Sequence, residues 1–150
     1  MIRLPKKLLF AIEAVLDIAY NAGAQPVQSK DITARQGIPR RYLEQVLQKL
    51  VREGILSGVR GPRGGYLLAR ERRRITLGDI TRVVSTLDAG DEARPTPESD
   101  LGTKIVGPIW DELESHLLQR LDQVTIEELC LRAKDAGIES KAAERLDFVI

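Results

Sequence analysis

The chain has 150 residues, 43% hydrophobic and 30% charged, with a formal net charge of +1. That length suits one ordinary domain, or a small domain with an appended element, and its apolar share excludes wholesale disorder. One cysteine, Cys130, and one histidine, His116, exclude a disulfide within the chain and a Cys/His zinc site.

The near-zero net charge hides an asymmetry. Residues 1–88 carry 16 Lys/Arg against 8 Asp/Glu, a net of +8, whereas residues 89–150 carry 7 against 14, a net of −7. A basic first half suits a polyanion partner, because phosphate neutralisation supplies most non-specific affinity. An acidic second half would repel the same partner and needs another role.

Two lysines precede an apolar run from Leu8 to Ala22. Glu13 and Asp17 interrupt that run, which argues against a signal peptide and against a membrane span. The spacing predicts a helix from Lys6 to about Ala22, with Leu8, Ile12, Val15, Leu16 and Ala19 on one side. After a loop from Asn21 to Pro26, a short helix is expected over Lys30 to Gln36. Ser29 is its expected N-cap, Ile32 its apolar anchor and Gly37 its C′ residue.

Pro39 then suits the first turn of a third helix. Leu43, Val46, Leu47 and Leu50 fall at i, i+3, i+4 and i+7, an apolar stripe. The opposite face carries Arg41, Glu44, Gln45, Gln48 and Arg52, with Arg40 and Tyr42 close by. Such a face is usually only solvated, yet these are also the groups that hydrogen-bond base edges: Arg to guanine, Gln to adenine, Glu to the cytosine amine.

Past Gly54 the period changes to that of strands. Ile55 to Val59 and Tyr66 to Ala69 read as a hairpin, and between them Arg60-Gly61-Pro62-Arg63-Gly64-Gly65 forms a tight loop with two cations. Helix, turn, helix and a basic-tipped hairpin are the layout of a winged helix-turn-helix, whose second helix enters a major groove while the wing tip meets a minor groove. Lys6, Lys7, Ser29 and Lys30 are placed for phosphate contacts rather than base reading. The run Arg70-Glu-Arg-Arg-Arg74 reads equally well as a solvated loop or as further phosphate contacts.

Thr76-Leu-Gly-Asp79 is a capping-box start for a helix bearing Ile80, Val83, Val84 and Leu87 on one face. Ala89 to Gly102 holds two prolines, two glycines and four acids, and reads as a loop. A long helix follows, in which Pro108 belongs in the first turn. Val106, Ile109, Trp110, Leu113, Leu117 and Leu121 form its stripe, to be covered by a second copy of the chain or by the first helix. Thr125-Ile-Glu-Glu128 is a second capping box, opening a short helix that ends at Gly137; Leu146 to Ile150 are apolar and unassigned.

Four segments together resemble the Rrf-type family of bacterial winged-helix regulators, whose members include IscR, NsrR and CymR. They are Tyr42-Leu-Glu-Gln45, the wing Ser57-Gly-Val-Arg-Gly-Pro-Arg-Gly-Gly-Tyr66, Ile75-Thr-Leu-Gly-Asp-Ile80, and Trp110 with Thr125-Ile-Glu-Glu-Leu129. The resemblance implies a homodimer seamed by the long helix, Arg60 in a minor groove, and Arg41, Glu44 and Gln45 facing bases. Many family members sense through an iron–sulfur cluster held by three loop cysteines. Here Lys104 stands at the last ligand-cysteine position and Gly107 at the accessory histidine position, so no cofactor is expected. Cys130, within an apolar run, reads more readily as an inert core thiol than as a redox switch. His116 reads as a solvated surface residue.

The expected fold is mainly α with a small β-hairpin wing: a head over 1–88, a linker over 89–103, dimerisation helices over 104–137 and a tail over 138–150. The expected function is a cytoplasmic, sequence-specific DNA-binding regulator without a cluster, a homodimer on a pseudo-palindromic operator. Its signal would be a small-molecule effector, a regulatory partner protein or a thiol. The alternative is a winged-helix module that docks a protein; six arginines between Arg60 and Arg74 weigh against it. No constellation for catalysis is present, and no membrane partner is expected.

Overall fold

A computed structural model describes residues 2–87 and 96–142. Its helices are α1 (Lys6–Asn21), α2 (Ser29–Gln36), α3 (Arg40–Arg52), α4 (Leu77–Leu87), α5 (Gly107–Leu121) and α6 (Ile126–Asp135). Strands β1 (Leu56–Val59) and β2 (Gly65–Leu68) pair antiparallel between α3 and α4, with Leu56 opposite Leu68 and Val59 opposite Gly65. A 3₁₀ turn spans Arg72–Arg74 and a π turn spans Gly102–Val106. This is the winged helix-turn-helix expected from the periodicities. Strand β1 starts one residue later than the pattern placed it, since Ile55 drops out, and β2 lies one residue earlier, since Gly65 enters and Ala69 drops out.

One core joins these elements. Leu43, Val46, Leu47 and Leu50 of α3 are all buried, together with Ile32 and Ile38, Ile55 and Leu56, and Ile75, Ile80, Val83 and Val84. Burying each such Leu, Ile or Val side chain contributes about 1.5–3 kcal/mol, and this seats α3 more firmly than its propensities do. The face of α1 is rotated from the expected one. Leu8, Ala11, Ala14, Val15 and Ile18 are buried, while Ile12, Leu16 and Ala19 are only partly covered. Helices α2, α3, α4 and α6 and strand β2 all pack on α1, so its inner side needs small side chains where neighbours come close.

A hairpin of two four-residue strands is marginal by itself. Here Val27, just before α2, forms a bridge to Tyr66: Val27 N–H donates to Tyr66 O at 3.0 Å and Tyr66 N–H to Val27 O at 2.8 Å. A second bridge, Thr76 with Thr125, ties the start of α4 to the start of α6. The capping box at α4 is reciprocal, with Asp79 N–H on Thr76 Oγ1 at 3.1 Å and Thr76 N–H on Asp79 Oδ2 at 3.0 Å. At α6, Thr125 Oγ1 accepts from Glu128 N–H at 3.1 Å, while the Glu128 carboxylate pairs with Arg132 at 2.9 Å.

Several local expectations are corrected. Ser29 is the first residue of α2 and not its N-cap; Gln28 holds that position without a side-chain cap bond. Gly37 does take the left-handed turn, at φ 68°. Pro39 is the N-cap of α3 rather than a first-turn residue. The long helix begins before Gly102: residues 100–121 are helical without a break, and Ser99 Oγ accepts from Gly102 N–H at 3.0 Å as a cap. Pro108 does lie in the first turn of α5, as expected, although the π turn before it continues the helical run. It is tolerated because Gly107 N–H reaches back to Gly102 O, a widened turn that has already opened the ladder. Of the expected loop, residues 89–95 lie outside the described residues, as do Leu146 to Ile150.

Candidate nucleic-acid interface

Because the apolar stripe of α3 is anchored inward, its other side is committed to solvent. Arg40, Arg41, Glu44, Gln45, Gln48 and Arg52 are all exposed. Arg40 Nε donates to Glu44 Oε1 at 3.1 Å, one turn away. Tyr42 behaves differently. It is half-buried, its hydroxyl donates to Lys7 O at 2.6 Å, and its ring lies 6.2 Å from that of Phe10. Tyr42 is a strut between α3 and α1, and Lys6 sits over the other ring of the pair, Nζ 5.6 Å from the Phe10 centroid. Lys30 and Pro39 are exposed and Ser29 is half-buried, all three at helix starts near the turn.

The wing tip is built from backbone geometry. Gly64 N–H donates to Gly61 O at 2.9 Å, closing the turn that presents Arg60, Gly61, Pro62 and Arg63 to solvent. Gly64 is buried, and a Cβ there would stand 2.2 Å from Val59 O, so the turn admits only glycine. Its part is to shape the tip; the side chains available for contact are those of Arg60, Pro62 and Arg63. Gln28 Nε2 reaches Pro62 O at 3.4 Å, so the tip is tied to the entrance of α2. The run after the wing is partly engaged within the head: Arg70 approaches Asp79 at 3.8 Å, Arg73 pairs with Glu71, and Arg72 meets the Cys130 thiol.

The stripe of α5 is on the outside of the molecule. Ile109, Leu113 and Leu117 are 48%, 50% and 49% exposed, Trp110 41%, and Val106 is exposed as well, while Leu121 is half-buried. The expected alternative, packing of this stripe on α1, is not what is seen. The helix α6 occupies that place and α5 leans on α4. At that junction Arg82 Nη1 and Nη2 donate to Asp122 Oδ1 and Oδ2, both at 2.7 Å. Gly78 makes the approach possible, since a Cβ on it would lie 1.7 Å from Asp122 Oδ1.

Residues 4–132 match Rrf2, described as an iron-dependent transcriptional regulator. The chain belongs to the Rrf2 family. It is 36% identical to the HTH-type transcriptional regulator IscR of Escherichia coli (strain K12 / DH10B) over 128 residues, 85% of this chain and 79% of that protein. Among solved structures it is similar to T. potens IscR, with a TM-score of 0.72 and 30% identity over 93% of both chains. It is also similar to CymR, the global cysteine regulator of B. subtilis, with a TM-score of 0.67 and 26% identity over 88% of this chain and 98% of that one. As an Rrf2 protein it is a transcription regulator with a DNA-binding winged helix, in a family of regulators rather than enzymes.

The Rrf2 description raises the question of iron. An iron–sulfur group needs thiolates. The single thiol, Cys130, is buried in α6, and that burial pushes its pKa up despite the Arg72 guanidinium beside it. Among the described residues no group of three His, Cys, Asp or Glu is gathered as metal ligands. Lys104 lies in the π turn, 3.9 Å from Asp100, and Gly107 follows it. These donors do not fit such a cluster. His116 is exposed on α5. Among the described residues, no helix is long and apolar enough to cross a membrane.

Proposed function

We propose that this protein is a cytoplasmic, homodimeric transcription regulator that reads a pseudo-palindromic operator without an iron–sulfur cluster. One observation carries the reading: the outward face of α3, with Arg41, Glu44 and Gln45, adjoins a wing whose Arg60 and Arg63 are exposed on a glycine-shaped tip. That combination suits base reading in a major groove and a cation in a narrow minor groove. Exposed cations on the tip favour a polyanion over a protein surface as the partner. The uncovered stripe of α5 supports a second copy of the chain as its cover, since apolar patches of this kind are rare on monomers. Two heads then face two half-sites. With thiols lacking at the loop, the signal is a small-molecule effector or a regulatory partner protein, and buried Cys130 is a core residue.

The test is the affinity for DNA upstream of the protein's own gene against a scrambled duplex, at fixed physiological salt. The expected preference is about 10³-fold or more. Arg60→Ala is expected to lose on the order of 1–3 kcal/mol of specific affinity while keeping most of its non-specific binding. Equal operator binding by wild type and Arg60→Ala would remove the wing from the interface.

A further inference from the structure

Helix α2 is eight residues long, buries only Ile32, and has no side-chain cap at its start. Short helices are marginal without tertiary support, and with one buried side chain the polar contacts of α2 have a larger share in holding its direction. Its last two residues, Arg35 and Gln36, both grip one carboxylate. Arg35 Nε donates to Asp17 Oδ2 at 2.9 Å, Arg35 Nη2 to Asp17 Oδ1 at 2.8 Å, and Gln36 Nε2 to Asp17 Oδ2 at 2.8 Å. Asp17 lies in the last turns of α1, 3% exposed. A bidentate Arg–carboxylate fork fixes direction as well as distance, and that hydrogen bonding raises the Arg35 pKa.

The clamp sits at the elbow of the helix-turn-helix. Gly37 follows Gln36 directly, and only Ile38 and Pro39 separate it from α3. The same turn of α1 is held from its other side. Asn21 Nδ2 donates to Asp17 O at 3.0 Å, and Asn21 Oδ1 accepts from Lys141 N–H at 3.1 Å. The Tyr20 hydroxyl donates to Ile138 O, and the Ser140 hydroxyl to Tyr20 O. The turn that carries Asp17 is thus bracketed between the elbow and the segment after α6.

We propose that Asp17 is a positioning residue for DNA reading: by clamping Arg35 and Gln36 it fixes the exit of α2, and so the direction in which α3 presents Arg41, Glu44 and Gln45. The inference rests on α3 being the reading helix. Arg35 acts through Asp17 rather than as a phosphate contact, and a lysine in its place separates the two roles. Lysine keeps the charge and loses the fork.

The experiment uses the full chain carrying Arg35→Lys, and in parallel Gln36→Ala, each removing part of the grip without leaving Asp17 unpaired. Amide hydrogen exchange over residues 29–36 is measured alongside the specific-to-nonspecific affinity ratio, on an operator that the wild type selects from genomic fragments. Faster α2 exchange by about tenfold, with α1 and α4 unchanged, is expected. A ratio lowered about tenfold at an unchanged salt slope is expected with it. Unchanged α2 exchange overturns the clamp. Faster exchange with an undiminished ratio overturns its role in reading. If the wild type selects no fragment, the regulator reading is what fails, and the positioning claim falls with it while α2 exchange still decides the clamp.

Discussion

At the scale of single residues, Gly78 leaves no room for an added atom. Gly78→Ala would drive a Cβ against the Asp122 carboxylate that Arg82 holds, at the joint between α4 and α5. A loss of about 1–3 kcal/mol in denaturant unfolding is expected, as for other overpacked sites. The joint also titrates. The Arg82 hydrogen bond holds the Asp122 carboxyl below its ordinary 3.8. A depressed carboxyl contributes stability above its unfolded pKa and loses it as the pH falls through the folded one. Thermal unfolding of wild type and Asp122→Asn should therefore differ at neutral pH, the difference beginning to shrink only below about pH 4 and vanishing once the pH has fallen through the depressed folded pKa. Cys130 gives the opposite sign. Burial raises its thiol above the ordinary 9.0, so alkylation at pH 8 should be far slower than for a free thiol until the protein unfolds.

At the scale of elements, what could be read in the sequence depended on how far apart the partners lie. The stripe of α3 repeats within two turns, and the Thr76–Asp79 box closes over three residues, so pattern alone located both. The wing was legible because its glycines and cations are contiguous. Which face α1 buries was not, because Ala11 and Ala14 carry little hydrophobic signal and are buried only by the close approach of neighbouring elements. The grip on Asp17 spans 18 residues and the Arg82–Asp122 fork 40, separations at which no local periodicity links donor to acceptor. Val27 gave no strand signal, since a single bridging residue has no alternation to display. The solvent-facing side of α3 was visible, then, but the supports that orient it were not.

At the scale of the whole molecule, the charge asymmetry and the uncovered helix both suit the proposed dimer, in which a basic head would face the polyanion and the apolar side of an acidic arm would meet its copy. On that proposal, wild type sediments as a dimer, and a charge in the middle of that side, as in Leu113→Glu, should give a monomer in sedimentation velocity without lowering the helix content of each chain. The arm has one further property. A π turn is equivalent to a single inserted residue, and Gly102–Val106 contains one. Deleting Thr103 would restore an ordinary ladder and, because the widened turn already absorbs the extra residue, leave the residues before it in nearly the same phase relative to Ile109 and Leu113. Leu101 would keep the side it now occupies. The arm thereby has one place where a residue can be lost without changing its phase, whereas a residue inserted or lost elsewhere in it would turn its entry by ~100°, more than a quarter of a circle.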